Sequence, residues 1–291
     1  MDGRRQLRSR HQAGGESRDA DRVARATGRA LARCQRADGA AHHVDRARRG
    51  AAVVTHGLIL AGGDGSRLAA DGVATPKALV SVAGRPQILN LIQILEQLGC
   101  ESITSMVREG VLVQPPSPAV TVRACRTPSS LHTLVAGLAV VPPGPVFCTM
   151  VDTVMPAEDW RLVYAGVTEQ LRAGSFAVLA VTPFVDDERP VYVARDAAGR
   201  AIEIADSPRN GTAPVVVTGG VYGFSPGARR LASVAVTSEN RMRAFLKLLI
   251  AVRAPITTVE VAKIIDLDHK RDLEAAERWL AASAPQGGAA R

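Results

Sequence analysis

The feature that most constrains the fold is a short apolar segment followed at once by a glycine-rich turn. Residues 58–60 are Leu-Ile-Leu, with no polar alternation, which is typical of a strand buried on both faces of a parallel sheet. Gly62, Gly63 and Gly65 follow. Glycines adopt positive φ angles without steric cost, so several backbone N–H groups can point into one concavity that holds phosphate oxygens. The segment therefore predicts a phosphate-binding turn at the carboxyl edge of a sheet.

Two basic side chains follow this turn, and two common glycine motifs do not fit it. Arg67 and Lys77 would add positive charge beside bound phosphates. A dinucleotide-binding fingerprint requires a third glycine where Leu68 stands. A P-loop requires glycine before Lys-Ser/Thr, whereas Lys77 follows Pro76 and precedes an alanine. Neither of those motifs is present.

The remaining pattern combines the glycine turn with a downstream basic element. It reads Gly-Gly-x-Gly-x-Arg-Leu over residues 62–68, then Pro76 and Lys77, then Val-Ala-Gly-Arg-Pro over residues 82–86. This pattern resembles the signature of the nucleotidyltransferase superfamily, which includes sugar-phosphate nucleotidylyltransferases and MobA-like NTP transferases. The resemblance implies a three-layer, Rossmann-like α/β fold of the GT-A-like type, with a mostly parallel sheet and helices on both faces. The simpler alternative is an ordinary strand–helix turn with both basic side chains solvated.

The same resemblance implies which residues contact the nucleotide. Arg67 becomes a catalytic residue on the β- and γ-phosphates, and Lys77 a catalytic residue on the α-phosphate or the incoming phosphate. The implied nucleotide-binding residues are Leu60, Ala61, Gly62, Gly63, Gly65, Ser66, Ser129 and Ser130. The two later serines precede a predicted helix, so capping of its N-terminus is an equally good interpretation for either one.

Three aspartates are predicted to hold a metal ion. Asp152 follows the apolar segment 146–151, at the edge where open α/β sheets bind ligands. A carboxylate there suits Mg²⁺, which prefers a few protein oxygens together with water and substrate phosphates. Asp266 and Asp268 lie in the sequence Ile-Ile-Asp-Leu-Asp over residues 264–268, which resembles the second metal element of the superfamily, with Asp266 the first choice. The alternative for Asp152 is capping of the helix that follows.

A second glycine pair, Gly219 and Gly220, is predicted to approach the acceptor substrate. It lies in Thr-Gly-Gly-Val-Tyr-Gly-Phe over residues 218–224, which resembles the G-x-Y-x-F segment of the superfamily, and glycine permits close backbone approach. Sugar-nucleotide enzymes often carry Glu-Lys-Pro shortly before this segment, but residues 204–208 read Ile-Ala-Asp-Ser-Pro. That departure weakens an assignment to a hexose 1-phosphate acceptor. The acidic residues 186–188 are interpreted as a solvated turn.

The positive charge of the chain is concentrated at its N-terminus. The 291 residues carry a net charge of +8, yet residues 1–50 hold 13 Arg against 6 Asp and Glu, and the remainder holds 23 Lys and Arg against 22 Asp and Glu. The first segment has few large apolar residues with which to bury surface. We therefore expect residues 1–51 to be a disordered Arg-rich tail, residues 52–282 an NTP transferase domain, and residues 283–291 a disordered C-terminus.

The predicted function is transfer of a nucleoside monophosphate from a nucleoside triphosphate to a phosphorylated small-molecule acceptor, with Mg²⁺ as cofactor and pyrophosphate as the second product. No apolar run approaches the ~20 residues of a membrane-spanning helix, so we expect a cytoplasmic protein without a membrane partner. One alternative is a nucleotide-binding sensor that has lost turnover. Nucleic-acid binding by the tail is disfavoured because no aromatic residue interleaves its arginines for base stacking. The base, the acceptor and the oligomeric state stay open.

Overall fold

The computed structural model describes residues 54–208 and 215–283. The strands in these ranges are β1 (His56–Ala61), β2 (Ser81–Val82), β3 (Arg85–Pro86), β4 (Ser102–Arg108), β5 (Val120–Cys125), β6 (Val146–Met150), β7 (Thr153–Val154), β8 (Ala177–Thr182), β9 (Tyr192–Arg195), β10 (Ala201–Ala205), β11 (Val216–Phe224), β12 (Ile256–Glu260) and β13 (Ile265–Asp266). The α-helices are α1 (Ser66–Ala70), α2 (Gln87–Gln97), α3 (Ser130–Val140), α4 (Ala157–Arg172), α5 (Pro226–Ala235), α6 (Met242–Ala251) and α7 (Lys270–Ser283). A short 3₁₀ helix covers Lys77–Leu79.

The predicted Arg-rich tail, residues 1–51, lies outside the described residues. Residues 284–291 of the predicted C-terminal segment also lie outside them, while Ser283 is the last residue of α7. Within residues 54–208 and 215–283, no helix is both long and apolar enough to cross a membrane.

One large sheet organises the molecule. Its strands run in the order β5-β4-β1-β6-β11-β8-β12, and β9 and β10 extend it beside the first residues of β11. Neighbours β1, β4, β5 and β6 are parallel, as are β8 and β12, whereas β11 is antiparallel to both β6 and β8. The prediction of a mostly parallel sheet is therefore confirmed.

The residues of β1 alternate between two hydrophobic cores, one on each face of the sheet. Leu58 and Leu60 belong to the first core, which α3, α5 and α6 cover, whereas Ile59 and Ala61 belong to the second, which α2 and α4 cover. Both faces of a parallel sheet are normally covered in this way. The uninterrupted apolar run of β1 thus has a direct physical reason, and the predicted three-layer α/β architecture is confirmed.

The carboxyl edge of the sheet carries a small additional ladder. Strand β7 follows β6 after a two-residue turn and pairs antiparallel with β13, with Thr153 opposite Asp266. The N–H of Leu267 also donates to the carbonyl of Asp152 at 3.0 Å. Helix α7 packs on this ladder through a third apolar cluster that includes Val154, Ile265 and Ala276. The ladder brings a late part of the chain to the end of a central strand.

Candidate active site

The glycine turn connects the end of β1 to α1 at the carboxyl edge of the sheet. Gly65 is the N-cap of α1, with φ 62° and ψ 26°, a left-handed conformation that residues with a Cβ adopt only at a cost. A Cβ on Gly65 would also lie 3.3 Å from Cβ of Lys77. By contrast, a Cβ on Gly63 would meet no described atom within 4 Å. The turn thus packs against Lys77 on one side and is open on the other.

The ammonium group of Lys77 lies among three carboxylates. Its Nζ is 2.6 Å from Oδ2 of Asp152, 2.7 Å from Oδ1 of Asp268 and 3.7 Å from Oδ1 of Asp266. The Lys77 side chain is only 10% exposed. Burial by itself lowers the pKa of this ammonium, but the charges of Asp152 and Asp266 outweigh burial and raise the pKa above its ordinary value. Lys77 is therefore positively charged at neutral pH.

Arg67 reaches the same cluster from the first turn of α1. Its Nη1 donates to Oδ2 of Asp268, so one carboxylate is shared between Arg67 and Lys77. About a third of the Arg67 side chain is exposed, at 36%. The guanidinium thus lies at the rim of the cleft, where it stays accessible to a ligand in the turn.

Asp152, Asp266 and Asp268 form a compact oxygen donor set. One oxygen from each lies within 4.8 Å of the others. Desolvation and then repulsion from Asp152 raise the pKa of Asp266. Because 45% of the Asp266 side chain is exposed to water, desolvation is limited, and repulsion from Asp152 is the stronger cause of the raised pKa. Few protein oxygens and an open side are what Mg²⁺ requires when it also binds substrate phosphates. These residues fit a divalent cation.

The carboxyl group of Asp272 organises the segment that carries Asp268. Its Oδ2 accepts hydrogen bonds from the N–H groups of Asp268 at 3.1 Å and of His269 at 2.6 Å. This contact from the first turn of α7 is a capping interaction, and the negative charge also suits the positive end of the helix. Asp272 is buried at 5% exposure. Its role is to fix the backbone next to the candidate metal ligands.

His269 links three parts of the cleft. Its Nδ1 is 2.9 Å from Oδ2 of Asp71, just after α1, and its Nε2 is 3.2 Å from Oε1 of Glu188, in the loop between β8 and β9. The N–H of Lys270 donates to the same Asp71 oxygen at 3.0 Å. The start of α7 is thus hydrogen-bonded to the residue that follows α1, and His269 also lies beside Glu188 on the opposite wall of the cleft.

A cavity of about 40 Å³ lies beside Asp266 on the other side of the cleft. We call it the acceptor cavity, after the acceptor contact that the sequence predicts for Gly219; its lining also includes Asp186, Asp187, Phe184 and Thr218. Among the described residues, no lysine or arginine lines it. We call the glycine turn with Arg67, Lys77 and the three aspartates the nucleotide half of the site.

The chain's family is defined by a match over most of this structure. The model described as the MobA-like NTP transferase domain matches residues 57–247, about two thirds of the chain. The chain belongs to this family. The matched part of the MobA-like domain contains the glycine turn, Lys77 and Asp152, whereas Asp266 and Asp268 follow its last matched residue. No curated protein sequence matches the chain.

Solved structures share the fold of the MobA-like domain over most of its length. The inositol-1-phosphate CTP transferase from T. maritima has a TM-score of 0.63 at 14% identity, covering 81% of this chain and 99% of that one. The UTP-bound UGPase from Acinetobacter baumannii has a TM-score of 0.65 at 13% identity, covering 80% and 95%. A UDP-glucose pyrophosphorylase complexed with UDP-glucose has a TM-score of 0.64 at 15% identity, covering 79% and 99%. At these identities the likeness establishes the fold alone.

The fold brings most of the sequence-predicted residues together. Arg67, Lys77 and all three predicted metal ligands meet in one cluster beside the glycine turn. Leu60 and Ala61 are buried at the end of β1, whereas Ser66 is exposed at the start of α1. The N–H of Ser66 donates to Oδ1 of Asp64 at 3.2 Å. Their contacts with a nucleotide stay a prediction.

The two later serines of the MobA-like domain have structural contacts. Ser129 is the N-cap of α3, where its Oγ accepts from the N–H of His132 at 3.4 Å. The Oγ of Ser130 accepts from the N–H of Met242, at the start of α6. The hydroxyl of Thr133, which sequence reasoning missed, lies closer to the turn: a Cβ on Gly62 would be 2.9 Å from it. Thr133 lies four residues after Ser129, about one helical turn further along, and this spacing was its only signal in the sequence.

The second glycine pair lies where β11 passes the β7–β13 ladder. Gly220 has φ 78°, and a Cβ there would be 2.7 Å from Oγ1 of Thr153. A Cβ on Gly219 would be 2.2 Å from Cδ1 of Ile264. Internal packing therefore explains both glycines, while Gly219 also lines the acceptor cavity. Residues 186–188 lie in an exposed or half-buried loop, as expected of a polar turn, and Asp186 and Asp187 also line the acceptor cavity, which their sequence did not indicate.

Proposed function

We propose that the MobA-like domain transfers a nucleoside monophosphate from a nucleoside triphosphate to a phosphorylated small-molecule acceptor. The observation that carries this proposal is the meeting of Lys77 and Arg67 with three carboxylates directly beside an open glycine turn. An oxygen of the acceptor phosphate attacks the α-phosphorus, the bond from that phosphorus to the bridging β-phosphate oxygen breaks, and pyrophosphate leaves. No covalent enzyme intermediate is required.

The protein's part in this reaction is alignment and charge stabilisation. Backbone N–H groups of the turn bind phosphate oxygens, and Arg67 at the rim neutralises the β- and γ-phosphates. Lys77, deeper in the cleft, binds the α-phosphate or the acceptor phosphate. Asp152, Asp266 and Asp268 would hold Mg²⁺. When bound, this ion supplies Lewis-acid stabilisation of the phosphoryl oxygens and of the leaving pyrophosphate.

The acceptor cavity supports a small acceptor. Its volume of about 40 Å³ is room for a few water molecules, since one water needs roughly 10–15 Å³ by the same measure. Asp186 and Asp187 supply carboxylates and Thr218 supplies a hydroxyl, which favour hydroxyl or amino groups on the acceptor. With no lysine or arginine among the described lining residues, the acceptor phosphate should face Lys77. The small volume argues against a hexose ring enclosed in this cavity.

The test is a screen for pyrophosphate release. CTP, UTP, GTP and ATP are each combined with phosphorylated polyols, amino alcohols, hexoses and cofactor precursors, in the presence of Mg²⁺. We expect turnover with one triphosphate and a small acceptor, with formation of the nucleoside-diphosphate product. Triphosphate binding without pyrophosphate release from any combination would instead support the sensor. Absence of both binding and turnover would contradict the proposal.

A further inference from the structure

The position of Lys77 has a consequence for how a cation reaches the site. Its Nζ is within 2.7 Å of oxygens from both Asp152 and Asp268, and 3.7 Å from Asp266. These are the same three residues whose oxygens lie within 4.8 Å of one another. The ammonium group therefore lies where a divalent cation would have to bind, and it neutralises the carboxylates in that cation's place.

Charge balance shows why this arrangement is stable without another cation. Carboxylates at this spacing repel one another, and the cations Lys77 and Arg67 offset that repulsion. The low exposure of Lys77, 10%, and of Asp152, 13%, limits screening by water and salt. An incoming divalent cation would have to displace a well-placed ammonium, because like charges at contact distance repel.

The backbone of Lys77 packs against the glycine turn, and the charge lies at the far end of its side chain. Gly65 packs against it, with only 3.3 Å between a Cβ on Gly65 and Cβ of Lys77. The four-carbon stem of lysine is flexible and carries a compact charge. Phosphates bound in the glycine turn would lie next to this stem. They are the nearest group able to draw the ammonium away from the carboxylates.

We infer that Lys77 is a two-position side chain: it occupies the cation's place in the nucleotide-free protein and moves onto the phosphates when a nucleoside triphosphate binds. This inference rests on the proposed function. It makes the nucleotide-free carboxylate cluster a poor site for a free divalent cation. Binding of the triphosphate uncovers the cluster, so triphosphate and cation bind with positive coupling, and by reciprocity each strengthens the other.

The experiment measures Mn²⁺ binding to the nucleotide-free full-length protein by electron paramagnetic resonance of free Mn²⁺. Mn²⁺ is the probe because it accepts carboxylate ligands as Mg²⁺ does. We expect Lys77→Met to bind Mn²⁺ at least about tenfold more tightly than the wild type, because one positive charge at contact distance is removed. If Lys77 only helped to bind phosphates, replacing it would not increase the affinity for Mn²⁺.

A matched control is available in Lys247, whose Nζ pairs with the carboxylate of Asp206. Lys247→Met removes one ion-paired lysine outside the cleft, and its Mn²⁺ affinity should equal that of the wild type. Thermal unfolding checks that each variant is folded. Lys77→Gln is made in parallel, so that an unfolded Lys77→Met still leaves a charge-removing variant to compare. Unchanged or weaker Mn²⁺ binding by a folded Lys77 variant would overturn the inference.

A second arm adds a non-hydrolysable triphosphate to the wild type and to the Lys77 variant. In the wild type, the triphosphate should increase the affinity of the protein for Mn²⁺ by more than Mn²⁺ binding to the free triphosphate explains. In Lys77→Met this increase should be about tenfold smaller. An equal gain in both proteins would contradict the inference. Pyrophosphate release by the wild type together with unaltered Mn²⁺ binding in Lys77→Met would leave the proposed function intact and reject this inference alone. A gain in Mn²⁺ affinity in Lys77→Met, with no turnover by the wild type, would support the position of Lys77 and reject the proposed function.

Discussion

The two halves of the cleft are built differently. In the nucleotide half, the carboxylates of Asp152, Asp266 and Asp268 lie 2.6 to 3.7 Å from the ammonium group of Lys77, beside the turn that follows β1. The acceptor half is a small cavity lined by residues of β8, β11, β13 and the loop after β8. Its Gly219 leaves room for the side chain of Ile264.

Under the proposed function, this contrast separates the chemistry from the choice of acceptor. The nucleotide half depends on charges that must meet in one place, so single changes there should abolish turnover. The acceptor half depends on the shape of a loop-lined cavity, since loops tolerate variation better than the elements they connect. Changes there should alter acceptor binding and leave the nucleotide half intact.

The largest effect should come from Asp152→Asn, which preserves the shape of the side chain and removes its charge. We expect turnover to fall by about 10²-fold or more, because a charge next to the reacting phosphates is lost. Pyrophosphate release measures the effect, and circular dichroism tests the fold. Asp159→Asn, in the first turn of α4, is the control and should retain wild-type turnover. Equal activity of both variants would remove Asp152 from the site.

A smaller loss is expected from Gly63→Ala. The added methyl meets no described protein atom within 4 Å, so the free energy of unfolding should change by less than about 0.5 kcal/mol. Triphosphate affinity should nevertheless fall by roughly tenfold, because the methyl would crowd phosphates bound against the turn. Isothermal titration calorimetry and denaturant unfolding give the two quantities.

Gly65→Ala provides the contrast to Gly63→Ala. Its positive φ and its contact with Lys77 should lower the free energy of unfolding by about 1 kcal/mol or more. If Gly63→Ala kept the wild-type affinity for the triphosphate, the bound phosphates would not lie over Gly63.

The acceptor half should respond to Asp186→Asn and Asp187→Asn. Each change should raise KM for the acceptor by about fivefold, the value of one hydrogen bond of roughly 1 kcal/mol. The Kd for the triphosphate should stay unchanged. Glu158→Gln, an exposed residue on α4, serves as the control. A matching loss of triphosphate affinity would show that the two halves are not separate.

The smallest effect on activity should come from Ser129→Ala. Loss of the α3 N-cap should lower the free energy of unfolding by about 1 kcal/mol, with turnover changed by less than about twofold because capping involves no phosphate contact. Denaturant unfolding and pyrophosphate release measure the two quantities. A marked rise in the Kd for the triphosphate would reinstate Ser129 as a nucleotide contact.

Local chemistry accounts for what could be predicted from the sequence. The apolar run 58–60 predicted a strand covered on both faces, and the two cores confirm it. The glycines and Asp152 were predicted from their positions directly after strands, which places them at one edge of a parallel sheet, and Lys77 was predicted from the motif that resembles the superfamily signature. The links made by His269 to Asp71 and Glu188 were not predicted, because they depend on how three loops face one another.

The sequence by itself determined a central apolar strand, a glycine turn able to adopt left-handed backbone, and the basic and acidic side chains available near it. Only the tertiary structure decided that Lys77 lies among all three carboxylates. The physical reason is distance along the chain. Lys77 and Asp268 are 191 positions apart, and their contact requires both the parallel order of the sheet and the short β7–β13 ladder that returns the end of the chain to its centre.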